Sequence, residues 1–312
     1  MEVIQVDLDS EISQEATIAL GNFDGLHSGH KALIEEVVEM AKKLNCRSSV
    51  LMFKTHTKNT TDGISQELLT SRSQKHDILR EMGIDIIYEI EFTKRIMRMS
   101  PEAFVTDFLV GHLKAKGVVV GYDYRFGFKA SGDVTTLDGL CKANDIALSV
   151  KKAVTYEDEA ISSTRIRSAV KEGDVKLARA LLTRPFTIRG KVVPGKQLGR
   201  TIGIPTANIL YNANYVVPKY GVYLTGVTVD GKHYYGATNI GTNPTFDEQG
   251  IKVETYLYDY EGDSLYGKII DVALLDFIRP EEAFDGVEAL KARMDKDLSI
   301  IRERIAREEF TK

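Results

Sequence analysis

The sequence predicts an α/β domain built on an open, doubly wound parallel sheet, followed by a small closed β-barrel that ends in a long helix. Three observations predict this arrangement. Strand and helix patterns alternate through the first half, short alternating strands replace them near residue 184, and the chain ends in a charged helical pattern. At 312 residues the chain is also long for one domain. We therefore place two domains, at 1–183 and 184–312.

Each strand of the first domain is predicted from an apolar run, and each helix from apolar residues at helical spacing. The first pair is a buried strand, Thr17–Leu20, and a helix over Lys31–Leu44. The pattern continues with strands at 48–53, 84–88, 117–121 and 146–150, and with helices at 72–82, 100–113 and 133–144. Such alternation forms an open sheet whose ligands bind at the carboxyl ends of the strands.

The second domain is predicted from short strands of alternating polarity, at 186–193, 221–229, 232–240, 252–258 and 268–277. The pair Asp230-Gly231 marks a hairpin turn. Regular short strands joined by turns are typical of a small closed barrel. The last segment, 281–309, has the apolar stripe of a helix, formed by Phe284, Leu290, Met294, Leu298, Ile301 and Ile305.

The composition argues against several classes of protein. The formal net charge is −4, so the chain has no overall positive field to attract nucleic acid. The 2 cysteines are too few for a disulfide framework and fit the reducing cytoplasm. The first residues lack the pattern of a signal peptide, and no run approaches the ~20 apolar residues of a membrane span. We therefore expect a cytoplasmic protein that binds neither nucleic acid nor membranes.

A turn between strand and helix, Gly21–His30, holds three glycines and two histidines. Glycines allow a ligand to approach the backbone closely. The start of the following helix offers N–H groups and the positive end of the helix dipole, which suit phosphate. His27 and His30 are three residues apart and can share one face of the first helical turn. The turn therefore predicts a phosphate-binding site.

Two further polar segments belong to the same half. Gly121–Gly127 directly follows an apolar strand, and Ile161–Arg167 is a hydroxyl-rich, basic segment that begins a helix. Ser163 or Thr164 could be a plain N-cap, and Arg167 a solvated helix charge. The same groups would also make a polyphosphate clamp. The residues alone leave both interpretations open.

The second domain contains two groups that could carry chemistry. Gly195–Asn208 combines glycines with basic residues, as a flexible phosphate-covering loop does, and its Thr206 and Asn208 offer hard oxygens for Mg²⁺ or phosphate. An ordinary glycine-rich hairpin with a polar end has the same composition. Glu254 shares a strand face with two tyrosines. It could be a surface carboxylate or a general base acting on an alcohol.

Together these motifs resemble those of the bacterial bifunctional riboflavin kinase/FAD synthetase family, in the family's order and over nearly the whole chain. Gly21–His30 resembles the adenylyltransferase signature, and the two polar segments after it resemble the second and third nucleotide-binding motifs. Gly203–Asn208 is similar to the kinase signature. The resemblance extends to the kinase's central strand and loop, its catalytic carboxylate and the border of its flavin pocket, at 236–246, Glu254 and 277–281.

The resemblance implies a nucleotidyltransferase-like first domain and a riboflavin-kinase-like barrel. The barrel would use ATP and Mg²⁺ to phosphorylate the 5′-hydroxyl of riboflavin, giving FMN. The first domain would join FMN to the AMP part of ATP, giving FAD and pyrophosphate. Riboflavin, FMN and ATP are therefore the expected partners, while the oligomeric state and the metal beyond a hard divalent cation stay open.

The resemblance also implies roles for particular residues. Glu254, His27 and His30 would be catalytic, and Thr206 and Asn208 would hold Mg²⁺. Asn22 and Asp24 would shape the nucleotide pocket, with Asp123 binding flavin or ribose. The full set expected to bind nucleotide or flavin is Gly21, Asn22, Phe23, Asp24, Gly29, Asp123, Ser163, Thr164, Arg167, Gly195, Lys196, Gly203, Pro205, Thr206, Asn208 and Arg279.

The first domain departs from the family pattern in places. The family usually has a His-Pro pair after its second strand, where this chain has His56-Thr57, and the polar loop that follows is unlike the usual form. This departure could alter access of flavin to the adenylyl site. Thr183 stands where a glycine is usual. It lies at the domain junction, where we expect it to change only local backbone freedom.

Three other functions are compatible with parts of this pattern. One half alone could be active, with the kinase intact and the adenylyl module slow or altered, or the reverse. The chain could also be a flavin- or nucleotide-sensing protein, although sensing needs no general base. An aminoacyl-tRNA synthetase has a signature similar to that of the histidine turn, but the short chain, the acidic balance and the barrel disfavour it.

Overall fold

The structure is a computed structural model, and it describes residues 1–54, 67–195, 198–211, 214–242 and 250–307. The chain divides into two units. The first contains Met1–Gln66 and Arg72–Ser162, and the second contains Glu67–Ser71 and Ser163–Lys312. The two helices directly before residue 183, Ser163–Glu172 and Val175–Leu182, therefore belong to the second unit. The domain boundary at 183/184 stays a prediction.

The first unit is built on six parallel strands in the order β1-β4-β3-β2-β5-β6. Their bounds are Glu2–Val6 for β1, Ala16–Leu20 for β2, Arg47–Phe53 for β3, Ile86–Ile90 for β4, Ala115–Gly121 for β5 and Ala147–Lys151 for β6. The doubly wound sheet is thus confirmed. The edge strand β1 was not predicted, because its short run mixes polar and apolar residues.

Helices cover both faces of this sheet, and strands such as β2 and β4 are therefore buried on both sides. On one face the helices Ser28–Leu44 and Arg72–Glu81 pack in one apolar cluster. On the other face lies the helix that was predicted to begin at Ser100. Ser100 caps its first turn, and the helix continues as a π-helix over Phe104–His112. The remaining elements of this unit are Lys94–Met97, Pro101–Ala103, Phe128–Ala130, Val134–Ala143 and the hairpin strands β7 Thr155–Tyr156 and β8 Glu159–Ala160.

The carboxyl edge of the sheet collects the predicted ligand-binding turns. β2 and β5 are neighbours, and they end at Leu20 and Gly121, where the histidine turn and the Gly121–Gly127 loop begin. From β2 the chain continues on one side through β3 and returns later on the other side through β5. Such a reversal of strand order opens a crevice in which doubly wound sheets bind ligands.

The second unit contains a closed antiparallel barrel in the order β10-β13-β12-β11-β14-β9, which confirms the predicted architecture. The strands are β9 Thr187–Val193, β10 Ala207–Ile209, β11 Gly221–Val229, β12 Lys232–Thr242, β13 Ile251–Leu257 and β14 Ile269–Pro280. Asp230 and Gly231 both have positive φ, of 49° and 78°, as a tight hairpin turn requires. The predicted turn is therefore confirmed.

Helices complete the second unit. Ser163–Glu172 packs against Val175–Leu182, Leu198–Thr201 is a single turn, and Val287–Ala306 lies against the outside of the barrel. The C-terminal helix begins later than predicted, because Gly286, with φ 122°, interrupts the segment before it. Tyr258 packs under this helix and donates a hydrogen bond to the carbonyl oxygen of Leu298 at 2.8 Å.

Thr183 ends the Val175–Leu182 helix in a left-handed conformation, with φ 59° and ψ 18°. This conformation explains why glycine is usual at this position, because a β-branched residue pays a steric cost of about 1–2 kcal/mol there. We expect Thr183→Gly to stabilise the second unit by about 1 kcal/mol in urea unfolding. Thr183→Val, which loses the hydroxyl and keeps the strain, should give no gain. Equal stability of the two variants would contradict this explanation.

Candidate active sites

The histidine turn leaves β2 along a strained backbone path. Phe23, Gly25 and Leu26 have φ of 49°, 82° and 43°, so three of four consecutive positions in the turn are left-handed. This conformation is costly for bulky side chains and persists only where the surroundings enforce it. The side chains of Phe23 and Leu26 are fully buried. Core packing therefore holds the turn that carries the histidines.

The two histidines stack on each other where the helix begins. Their ring centroids are 3.8 Å apart, with 17° between the ring planes. His27 is the N-cap, and its Nδ1 accepts a hydrogen bond from the backbone N–H of His30 at 3.3 Å. A Cβ atom on Gly29 would lie 3.1 Å from the His27 ring, so glycine leaves room for the ring there. The shared face predicted from their spacing is confirmed.

His30 is held in its neutral form by its surroundings. Burial, and then the charges of His27 and Lys75, keep the pKa of His30 well below its usual value of 6.5. The edge of its ring meets Phe23, with the centroids 5.4 Å apart. Its Nδ1 is buried and has no hydrogen-bond partner among the described residues. A neutral imidazole donates from one nitrogen and accepts at the other, so His30 can serve as a hydrogen-bond donor without carrying charge.

The lowered pKa of His30 predicts a pH-dependent stability for the first unit. Below about pH 6.5 the unfolded chain takes up a proton at this histidine that the folded chain does not, so stability falls as the pH falls. We expect the amide protection of the Ser28–Leu44 helix, taken relative to the intrinsic exchange rate at each pH, to fall as the pH is lowered from 7.5 to 5.5, and to fall more in the wild-type protein than in His30→Gln. An equal loss of protection in both proteins would mean that His30 does not contribute.

Asp24 lies within the turn and is almost completely buried, at 2% exposed. Its charge attracts Lys75, a half-buried residue of the Arg72–Glu81 helix that the motifs did not single out. Lys75 also acts electrostatically on His30. No sequence signal identifies Lys75, because only the packing of the two helices on one sheet face brings it beside the histidine turn.

The other residues predicted for the first site make fewer contacts with the two histidines. Asn22 and Asp123 are exposed. A Cβ atom on Gly121 would lie 3.1 Å from Oδ1 of Asp123, so the Asp123 side chain folds back over its own loop. A Cβ atom on Gly21 would lie 3.3 Å from the ring of Phe23. Gly21 therefore allows that ring to pack beneath the turn.

Ser163, Thr164 and Arg167 lie on the Ser163–Glu172 helix of the second unit. Ser163 and Thr164 are the first two helical residues, and Arg167 follows about one turn later. The helix buries Ile166, Ala169 and Val170 and leaves its polar residues at the start. The role of the three residues in nucleotide binding stays a prediction.

In the barrel, strand register brings the predicted kinase residues together. Glu254 on β13 pairs with Asn208 on β10 and with Asn239 on β12. Directly paired residues share one face of a sheet, so the carboxylate lies between two amides. Val253 and Thr255, on either side of Glu254, are buried on the opposite face. Asn239 was not singled out, because the pairing of its strand is visible only in the structure.

Two glycines lie directly against the predicted metal-binding residues. A Cβ atom on Gly195 would lie 2.3 Å from Nδ2 of Asn208, and one on Gly199 would lie 3.3 Å from Oγ1 of Thr206. Only glycine leaves space for the backbone to pass so close to Asn208. Residues 198–201 form a helical turn, and residues 207–209 form a barrel strand that pairs antiparallel with β9. The segment is therefore the long loop of a hairpin, and its role in binding phosphate stays a prediction.

The remaining predicted residues of this loop are Gly203, Pro205 and Lys196. Gly203 has φ 83°, which glycine adopts at no steric cost. Pro205 is exposed. Lys196 lies outside the described residues. Within its described residues, the loop therefore places glycines beside Thr206 and Asn208. The position of the Lys196 ammonium group stays a prediction.

The carboxylate of Glu254 and the guanidinium of Arg279 each contact an oppositely charged side chain. Nζ of Lys252 lies 2.8 Å from Oε2 of Glu254, one strand repeat away on the same face. Arg279 is largely buried, and its Nη2 lies 2.7 Å from Oδ2 of Asp297. This pair ties β14 to the C-terminal helix. The role of Arg279 beside a flavin stays a prediction.

Sequence models of two families match the two halves of the chain. The model described as FAD synthetase matches residues 9–165, and the model described as riboflavin kinase matches residues 182–305. Among the described residues, no helix is both long and apolar enough to cross a membrane. The structure resembles a crystal structure titled as a macrolide-efflux protein from Streptococcus pneumoniae, with a TM-score of 0.88, 29% identity and coverage of 96% of this chain and 98% of that one.

Curated relatives agree with the family models. A bifunctional riboflavin kinase/FMN adenylyltransferase from Listeria monocytogenes is 38% identical over 90% of this chain and 89% of its own. One from Escherichia coli is 36% identical over 94% of each chain. These matches confirm the resemblance predicted from the motifs. The chain belongs to the bifunctional riboflavin kinase/FMN adenylyltransferase family.

Proposed function

We propose that this chain phosphorylates riboflavin to FMN in its barrel and adenylylates FMN to FAD at its histidine turn, using ATP in both reactions. The observation that best supports the proposal is the pairing of Glu254 with Asn208 and Asn239 beside Gly195. This pairing offers a carboxylate base and two amide side chains on one barrel face. The stacked pair His27 and His30 supplies a second phosphate site of different chemistry.

In the barrel, Glu254 accepts the proton of the riboflavin 5′-hydroxyl while the hydroxyl oxygen attacks the γ-phosphorus of ATP. The bond from that phosphorus to the bridging oxygen breaks, and ADP leaves. Lys252, 2.8 Å from the carboxylate, holds Glu254 in place. Phosphoryl transfer of this kind depends mainly on position and on the neutralisation of charge.

Thr206 and Asn208 fit a hard divalent cation, because each offers an uncharged oxygen ligand, and the backbone of the adjacent glycines packs against both side chains. Mg²⁺ bound there would neutralise charge on the ATP phosphates. The residues themselves fix where those phosphates lie relative to Glu254. Thr206 directly precedes β10 and Asn208 lies within it, so the barrel strand holds both residues.

At the histidine turn, an oxygen of the FMN phosphate attacks the α-phosphorus of ATP, and pyrophosphate leaves as the bond to the bridging oxygen breaks. No protein nucleophile is needed. Nδ1 of His27 accepts the N-cap hydrogen bond, so the proton of a neutral His27 ring is on Nε2. His27 and His30 then donate hydrogen bonds to the charge that grows on the phosphates.

The position of label in the products tests the proposal directly. ATP labelled at its γ-phosphorus should transfer label to FMN made from riboflavin, and ATP labelled at its α-phosphorus should label FAD alone. FMN supplied unlabelled should give FAD that carries the α-label and no γ-label. Label from the α-position in FMN, or none in FAD, would contradict the assigned reactions.

Gly195→Ala tests the packing of the loop against Asn208. The new methyl group would lie 2.3 Å from the Asn208 amide, so one of the two must move. We expect riboflavin phosphorylation to fall about tenfold or more, because small displacements of positioning groups have large effects on rate. Gly226→Ala is the matched control, since its methyl group would meet Leu275 at an ordinary 3.7 Å. Equal activity of both variants would show that this contact does not matter.

A further inference from the structure

The half-buried ammonium group of Lys75 forms no ion pair with a carboxylate of the residues that the structure describes. Two carboxylates act on it electrostatically, those of Asp24 and Glu89. Among the residues that the structure describes, neither lies within ion-pair distance of its Nζ. Burial lowers the pKa of Lys75 against the opposing pull of the two carboxylates. A partly desolvated cation without a partner is costly for the free protein.

Glu89 is not available to Lys75, because other residues already occupy its carboxylate. It is 1% exposed and sits near the carboxyl end of β4. Arg72 donates two hydrogen bonds to it, one of them from Nε at 2.7 Å. His76 and Gln5 approach it at 2.8 Å and 2.6 Å. These contacts use the acceptor positions of the carboxylate, and they fix the Arg72–Glu81 helix that carries Lys75.

The topology places Lys75 on a defined side of the histidine turn. The strand order runs β4-β3-β2-β5, with the histidine turn after β2. The loop that resembles a nucleotide-binding motif follows β5, on one side of that turn. Lys75 lies on the helix that connects β3 to β4, on the other side, and this helix packs in the same apolar cluster as the helix of His30.

In phosphoryl and nucleotidyl transfer, the attacking and leaving oxygens lie on opposite sides of the phosphorus. If ATP lies toward β5, the attacking phosphate enters from the side of β3 and β4. We propose that Lys75 binds the 5′-phosphate of FMN and holds it for attack on the α-phosphorus of ATP. The proposal rests on the adenylyl transfer proposed above. It gives the unpartnered ammonium an anionic partner that is present only in the substrate complex.

Lys75→Met is the central variant, because methionine keeps the length of the side chain and removes its charge. The KM for FMN in FAD formation should rise about 10- to 100-fold, as expected for loss of a hydrogen bond to a charged group. The KM for ATP should stay within about twofold. Lys75→Arg should restore part of the affinity for FMN. Arg80→Met, on an exposed position of the same helix, is the matched control and should behave as wild type.

Thermal unfolding separates binding from a structural role. Because the ammonium forms no ion pair within the described part of the free protein, Lys75→Met should unfold at the same or a higher temperature than wild type. A lower Tm with both KM values raised would overturn the proposal in favour of a structural role. A rise in the KM for ATP alone would overturn it in favour of an ATP contact. If the methionine variant does not fold, Lys75→Gln, which keeps a polar end, takes its place in the same measurements.

The outcomes also separate this inference from the proposed function. Wild-type protein that makes no FAD from FMN and ATP would contradict the adenylyl activity itself. Wild-type protein that makes FAD, with an unchanged KM for FMN in Lys75→Met, would contradict only the role of Lys75. Riboflavin phosphorylation by each variant provides an internal check that the second unit is intact.

Discussion

Glu254→Gln is expected to reduce riboflavin phosphorylation by a factor of about 10²–10⁴, the usual contribution of a general base. The substitution keeps the size and polarity of the side chain, so its place between Asn208 and Asn239 should be kept. It removes the group that accepts the hydroxyl proton. Conversion of FMN to FAD should continue at the wild-type rate, because the histidine turn belongs to the other unit.

Glu261→Gln is the matched control for this prediction. Glu261 is an exposed carboxylate that follows β13, and its substitution should leave both reactions unchanged. The rates are measured by separating riboflavin, FMN and FAD chromatographically, in reactions begun once from riboflavin and once from FMN. Loss of both reactions in Glu254→Gln would mean that the two sites are assigned to the wrong units.

His27→Asn is expected to slow FAD formation about 10²–10³-fold, the cost of losing one donor to charge that develops in the transition state. Asparagine is among the best N-cap residues, so its oxygen can replace Nδ1 as acceptor for the His30 N–H. The variant therefore removes the far nitrogen of the ring and retains the start of the helix. Riboflavin phosphorylation should be unchanged.

His27→Ala separates the two tasks of this residue. It removes the N-cap acceptor as well as the donor, and should cost about 1 kcal/mol of stability in addition to the lost rate. Urea unfolding of the two variants, alongside their rates of FAD formation, distinguishes the contributions. If His27→Asn forms FAD as fast as wild type, the ring contributes only the cap, and the catalytic role of His27 is wrong.

Local patterns in the sequence were enough to predict the architecture. Apolar runs predicted the central strands β2 and β5, and the pair Asp230-Gly231 predicted a turn whose two residues have positive φ. Predictions failed where local patterns are weak. The edge strand β1 pairs only with β4 and is partly exposed, and the predicted helix after Ser100 becomes a π-helix along most of its length.

Only part of each candidate site was predicted, because strand register and helix packing are not visible in local sequence patterns. Glu254 and Asn208 were singled out one by one, but their alignment with Asn239 follows from strand register, which needs the closed barrel. Lys75 joins the histidine turn through the packing of two helices that are distant in sequence. Motif spacing carries no information about either arrangement. The departure at His56-Thr57 lies outside the described residues, and its effect on flavin access stays a prediction.

One measurement tests the central claim, that this single chain carries out both reactions of flavin cofactor synthesis. Purified protein is incubated with riboflavin, ATP and Mg²⁺, and the flavins are separated over time. FMN should appear first and FAD should follow, and FMN supplied in place of riboflavin should give FAD directly. FMN that accumulates without FAD would contradict the bifunctional claim, and no product from either substrate would favour a flavin- or nucleotide-binding sensor.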